Sequence, residues 1–254
     1  MKTLVCFFTS SVGRKFLMAA SGGLLFLFVV AHLLGNLQIF LPPEAINNYA
    51  RYLQNHPELL WPVRAGLLVL LGVHVWAAVT LTLENRAARP VQYWGRPAPY
   101  GASFASRTMM VSGVAVGAFV LYHLLHYTVV VEGLSGTKIS LRALKAQHDV
   151  YAMMVAGFRV WYVSLLYVVG VGALCWHLAH GLGAMFQSLG LKNRIYGPWL
   201  DRLARAVAAL IFLGYASIPA AILAGHGRAH LQQVIERIET APERGTPPAV
   251  RTPH

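Results

Sequence analysis

Residues 16–41 read FLMAASGGLLFLFVVAHLLGNLQIFL, an apolar run whose one ionisable side chain is His32. A helix rises about 1.5 Å per residue, so roughly 20 such residues cross the hydrocarbon core of a bilayer. Four more runs of that length follow, at about 62–83, 108–131, 160–186 and 206–224, bounded by charges or proline. They predict five membrane-spanning helices, because backbone amides in hydrocarbon must bond within their own segment. The roughly ten-residue alternation of a membrane barrel is missing.

Composition agrees. Of 254 residues 56% are apolar and only 12% charged, about half the charge of an average soluble domain. The formal charge of +12 would suggest nucleic acid in a soluble protein. Here the 21 Lys and Arg lie between apolar runs, where they act as topology signals, and nucleic-acid binding is not expected. Two cysteines, Cys6 and Cys175, are too few for a disulfide framework or a zinc site. A cleaved signal peptide is disfavoured, since its basic region would reduce to Lys2 and Arg14 with Lys15 interrupts the apolar run.

The linkers alternate in charge. Lys2, Arg14 and Lys15 precede the first run; Arg86, Arg89, Arg96 and Arg107 against Glu84 lie between the second and third; Lys192, Arg194, Arg202 and Arg205 against Asp201 lie between the fourth and fifth. The other segments are more nearly balanced by Glu44, Glu58, Glu132 and Asp149. The bias places the N-terminus in the cytoplasm and the C-terminus outside. Residues 1–235 read as one five-helix membrane domain, and 236–254, with Pro242, Pro247, Pro248 and Pro253, as a polar and disordered tail.

Ionisable groups within a span are costly and by default functional. Six histidines lie there: His32, His74, His123, His126, His177 and His180, spread over the first four spans. Counting from each midpoint, His32 and His123 fall about 5 Å toward the outside, and His74 and His177 roughly 2 to 8 Å toward the cytoplasm. Two pairs at two depths, each drawn from two helices, match two stacked bis-histidine haems, which take one axial imidazole on each face. His126 and His180 follow His123 and His177 by three residues, so spacing alone does not say which member of each couple is the ligand. Zinc, which favours four ligands at one point, and a haem-free proton relay are the competing readings.

Longer stretches narrow this. SSVGRKFLMAASGGLLFLFVVAHLLGNL from Ser10, PEAINNYARYLQ, HVWAAVTLTLENRAARPVQY, ASRTMMVSGV, LYHLLHYTVVV, DVYAMMVAGF and WHLAHGLGAMFQSLGL together resemble the cytochrome b558 type membrane anchor of succinate dehydrogenase and fumarate reductase, over about 12–222. The resemblance implies an all-α, five-helix anchor whose first four helices hold two haems b. It implies an iron-sulfur subunit and an FAD flavoprotein subunit docked on the cytoplasmic face, with succinate or fumarate reacting on the latter. Carried over residue by residue, the haem ligands are His32, His74, His123 and His177, with the first span paired to the third and the second to the fourth. His126 and His180 become candidates for supporting or quinone-site roles. Ser21, Arg107, Arg14 and Lys15 are placed for the propionates of the inner haem, and Arg64 and Arg159 for those of the outer. The substrate implied is a membrane quinone, menaquinone by analogy, with Glu44 the nearest match to the acidic residue that accepts quinol protons. Some menaquinol-oxidising relatives have a Glu two residues before the fourth ligand, where this chain has Cys175. The expected setting is the bacterial cytoplasmic membrane, as part of the tricarboxylic acid cycle or of fumarate respiration.

Overall fold

A computed structural model describes residues 10–88 and 108–240. Arg107, Arg89, Arg96 and the prolines of the tail lie outside the described residues.

Five helices are long and apolar enough to cross a membrane, and the chain is all-helical among the described residues, with a multi-pass architecture. The first is α1, Ser11–Leu37, opened by Ser10, whose hydroxyl accepts from the Gly13 amide at 3.1 Å, and extended by a 3-10 turn at Gln38–Phe40. A short helix α2, Pro43–Asn55, separates it from α3, Pro57–Ala87. Proline at the first helical position of each has no amide to waste there. The third span is α4, Met109–His123, continued by a π-helical segment Leu124–Val129. Two short helices, α5, Leu141–Ala146, and α6, Val150–Phe158, precede the fourth span α7, Trp161–Ser188. The fifth span, α8, is Gly197–Leu223, and α9, Arg228–Thr240, follows it.

The last span starts at Gly197 and not near residue 206. Asp201, Arg202 and Arg205 end an apolar run but not a helix, and Asp201 is neutralised by Lys192 at 2.7 Å. The first turns of α8 therefore carry the interfacial charges. In the bundle α1 packs on α3, α7 and α8, while α7 packs on α4, α1 and α8. Close approach of α7 and α4 requires Gly170, where a Cβ would lie 2.2 Å from the Phe119 ring. Outward side chains such as Leu68, Val69, Val111, Val114 and Leu210 are exposed, as suits a surface facing lipid tails.

The helices between spans cap one end of the bundle, where α1, α4 and α8 finish and α3 and α7 begin. From Tyr151 to Phe158 every residue of α6 is buried, in a core with Ile39, Ile46, Leu141, Leu144, Ile222 and Leu231. Asp149 ties the cap together. Its carboxylate accepts from the Ala152 amide at 2.9 Å and from Asn47 at 3.0 Å, and its other oxygen pairs with His230 of α9 at 3.0 Å. Asn47 in turn accepts from the Tyr151 amide at 2.9 Å, and His226 Nε2 donates to the Ile39 carbonyl at 2.8 Å. The orphan carbonyls at the end of the third span are met from α5: Arg142 donates to Val130 O at 3.2 Å, and Lys145 to Thr128 O at 2.5 Å. Burial and the Arg64 and Arg142 charges lower the Lys145 pKa. Since α9 runs to Thr240, residues 236–240 of the stretch read as a disordered tail are helical.

Candidate haem-binding site

Four of the six intramembrane histidines meet in two pairs. The rings of His32 on α1 and His123 on α4 lie 5.8 Å apart between centroids, and those of His74 on α3 and His177 on α7 6.3 Å apart. A metal held by one nitrogen of each ring at about 2 Å separates the centroids by about 6 Å. Neither α1 with α4 nor α3 with α7 is among the closely packed helix pairs. The two couples therefore reach across diagonals of the four-helix bundle. All four rings are only partly buried.

The levels follow from the serines. Ser21 Oγ lies 3.4 Å from His74 Nδ1, and Ser112 Oγ 3.1 Å from His177 Nδ1. Each serine stands eleven residues before the histidine of its own span, His32 or His123. With α1 and α4 running the same way, the pairs occupy two levels about 16 Å apart along the bundle. Beside the serines, Gly22 makes way for its ring, since a Cβ would come 3.0 Å from His74 Cε1, whereas at Gly113 a Cβ would stand in ordinary contact, 3.5 Å from His177 Cε1.

The same contacts assign the tautomers. The Ser21 hydroxyl donates to Leu17 O at 2.7 Å, and His74 Nδ1 also faces the Met18 carbonyl at 3.3 Å. A carbonyl only accepts, so Nδ1 carries the proton and Nε2 keeps its lone pair for a metal. Ser112 likewise donates to Met109 O at 2.9 Å, which leaves its oxygen to accept from His177. At the outer pair His123 Nδ1 lies 3.4 Å from the Tyr167 hydroxyl, and His32 stacks on Phe28 at 5.3 Å.

Two imidazoles do not complete a zinc site, and no group of three or more His, Cys, Asp or Glu gathers to hold an ion among the described residues. A porphyrin brings its own equatorial nitrogens and asks the protein for two axial ones. The donor set fits haem.

His126 is different. It is fully buried, faces Tyr167 at 3.0 Å through Nδ1 and lies tilted against the Tyr127 ring at 4.2 Å, with no opposing histidine. His180 lies one turn beyond His177 on α7, near the Lys192–Asp201 ion pair, and is outside the His74–His177 couple.

No family model, curated protein or solved structure matches the chain.

The remaining expected residues are scattered. Ser21 is buried against His74 and is better placed to orient the imidazole than to meet a propionate. Arg14 pairs with Glu84 at 2.5 Å, tying α1 to α3, and Lys15 is exposed. Arg64 lies over the Trp61 ring at 5.3 Å, and Arg159 lines a shallow groove with Thr137 and Lys138. Glu44 is exposed in the first turn of α2. Cys175 points away from the histidines into an apolar cluster with Leu33, Leu178 and Ile211. Sequence reading passed over Ser112 and Tyr167. The signal for the first was present, since Ser-Gly precedes a histidine by eleven residues in both the first and the third span.

Proposed function

We propose that this chain is a dihaem cytochrome b membrane anchor of a succinate:quinone oxidoreductase, passing electrons between an iron-sulfur subunit and a membrane quinone, with menaquinone the quinone. The observation that carries the reading is the pair of histidine couples at 5.8 and 6.3 Å, on two levels, with Nδ1 of His74 and of His177 facing protein oxygens. When bound, haem b would supply a one-electron carrier. His32 with His123 would hold the outer group and His74 with His177 the inner. Ser21 and Ser112 keep the inner imidazoles in the tautomer that ligates through Nε2.

The orientation proposed is N-terminus in the cytoplasm of a bacterium, with the chain in its cytoplasmic membrane. The cap then lies outside, and the basic ends of α1, α3, α7 and α8 face an iron-sulfur subunit and, beyond it, the FAD flavoprotein that carries the dicarboxylate site. Glu44, exposed at the capped end, is the candidate acceptor of quinol protons. Affinity purification of the chain from its own membranes tests this reading. It should bring down a flavoprotein and an iron-sulfur protein, and the complex should reduce a menaquinone analogue with succinate or oxidise its quinol with fumarate. Purification of the chain without such partners from membranes that respire succinate and fumarate would contradict it.

A further inference from the structure

At the outer pair one hydroxyl serves two histidines. Tyr167, on α7, lies 3.4 Å from His123 Nδ1 and 3.0 Å from His126 Nδ1. It is buried, and Phe119, Tyr122, Tyr127 and Phe158 pack around it with ring centroids 4.9 to 5.9 Å away. This packing holds the phenol in place. A phenol has one proton to give and can accept another. If His123 ligates through Nε2, its Nδ1–H donates to Tyr167 O, and the shorter contact receives the Tyr167 proton at His126 Nδ1. His126 then bears its own proton on Nε2, and that atom is buried with no hydrogen-bond partner. Leaving a buried nitrogen unmet is costly. His126 thus makes its hydrogen bond through Nδ1, to Tyr167.

The geometry points to Tyr167 as a positioning residue for the outer haem: polarised by His126, it accepts from His123 Nδ1–H, fixes that ring's tautomer and orientation, and strengthens the ligand as a donor. This rests on the dihaem reading above. A stronger imidazole donor favours the oxidised iron, so loss of the acceptor should raise the midpoint potential of the outer haem alone. The inner pair has its own partners, Ser21, Met18 and Ser112, and is about 16 Å away.

Redox titration of the haem-loaded protein, followed optically and by EPR, tests it in wild type, Tyr167→Phe and His126→Leu. The outer haem is identified as the one missing from His123→Ala. In Tyr167→Phe its one-electron equilibrium should shift roughly tenfold, an upward change of about 59 mV, with an altered low-spin EPR signal and the inner haem unmoved. His126→Leu should shift the same haem in the same direction by less. Unchanged potentials in Tyr167→Phe, or equal shifts of both haems, would overturn the assignment. If Tyr167→Phe does not retain the outer haem, His126→Leu decides: a shift confined to that haem supports the array, and no shift refutes it. Absence of haem from the wild type would defeat the dihaem reading itself, and is told apart from these results at the first spectrum.

Discussion

Ser112 Oγ lies 3.1 Å from Nδ1 of His177, and this contact joins two helices and two levels of the bundle at once. The serine belongs to the span that ends in His123, while the imidazole it orients belongs to the other couple. The same arrangement repeats between Ser21 on α1 and His74 on α3, at the other side of the bundle. The first and third spans therefore each carry a histidine at one level and, at the other, a hydroxyl facing a histidine of the neighbouring helix.

Removing the hydroxyls should separate the two inner ligands. Ser112→Ala takes from His177 the oxygen that faces its Nδ1, and haem retention at the inner pair should fall roughly 10- to 100-fold. Ser21→Ala should do less, because the Met18 carbonyl still faces His74 Nδ1 at 3.3 Å. Haem dissociation into apomyoglobin, measured for each variant, checks the order.

The ligand assignment predicts a pattern across six histidines. His74→Ala and His177→Ala should delete the same haem, and His32→Ala and His123→Ala the other. His126→Ala and His180→Ala should keep both, since neither ring faces a second histidine across a diagonal. Haem content with low-temperature spectra decides it, and loss of a haem from His126→Ala with retention in His123→Ala would reverse the assignment on the third span.

Glycines divide into those that admit neighbours and those that face open space. Gly170→Ala would push a methyl to 2.2 Å from Phe119 and should cost about 1–3 kcal/mol. Gly22→Ala presses on His74 Cε1 at 3.0 Å and should weaken the inner haem, whereas Gly113→Ala, at 3.5 Å from His177, should be tolerated. Gly72 has nothing within 4 Å of its Cβ position, and Gly72→Ala should be neutral or stabilise by up to about 1 kcal/mol. Thermal unfolding in detergent and haem content report on the two effects separately.

In the cap, Asp149→Ala removes an N-cap and unlinks Asn47 and His230 together, and should cost about 2–4 kcal/mol. Asp149→Asn keeps a capping oxygen and should cost less. Limited proteolysis of the protein in detergent should show cleavage near α9 in the first variant before the spans are attacked.

How far the sequence could be read depended on length and polarity. Runs of twenty apolar residues are unambiguous, and all five correspond to helices of the structure. The cap escaped notice because its pieces give weak signals. The nine residues of α6 are too short to span, and α2 and α9 are polar on average, so their buried faces show only once packed. The start of α8 was set too late because charges stop hydropathy without stopping a helix. His32, His74, His123 and His177 were picked out by depth and by resemblance. Ser112 and Tyr167 were missed because a serine or tyrosine in a span is commonplace, and only a neighbouring imidazole gives it meaning. Ser21 was noticed, but for a propionate and not for the His74 ring it faces.

The central claim is that the two histidine couples hold haem. A reduced-minus-oxidised spectrum of the purified chain, with haem counted by the pyridine haemochrome method, tests it most directly. The account predicts b-type bands, two haems per chain, and low-spin bis-imidazole signals in the oxidised protein. A spectrum without b-type bands from protein purified intact out of its own membrane would contradict it.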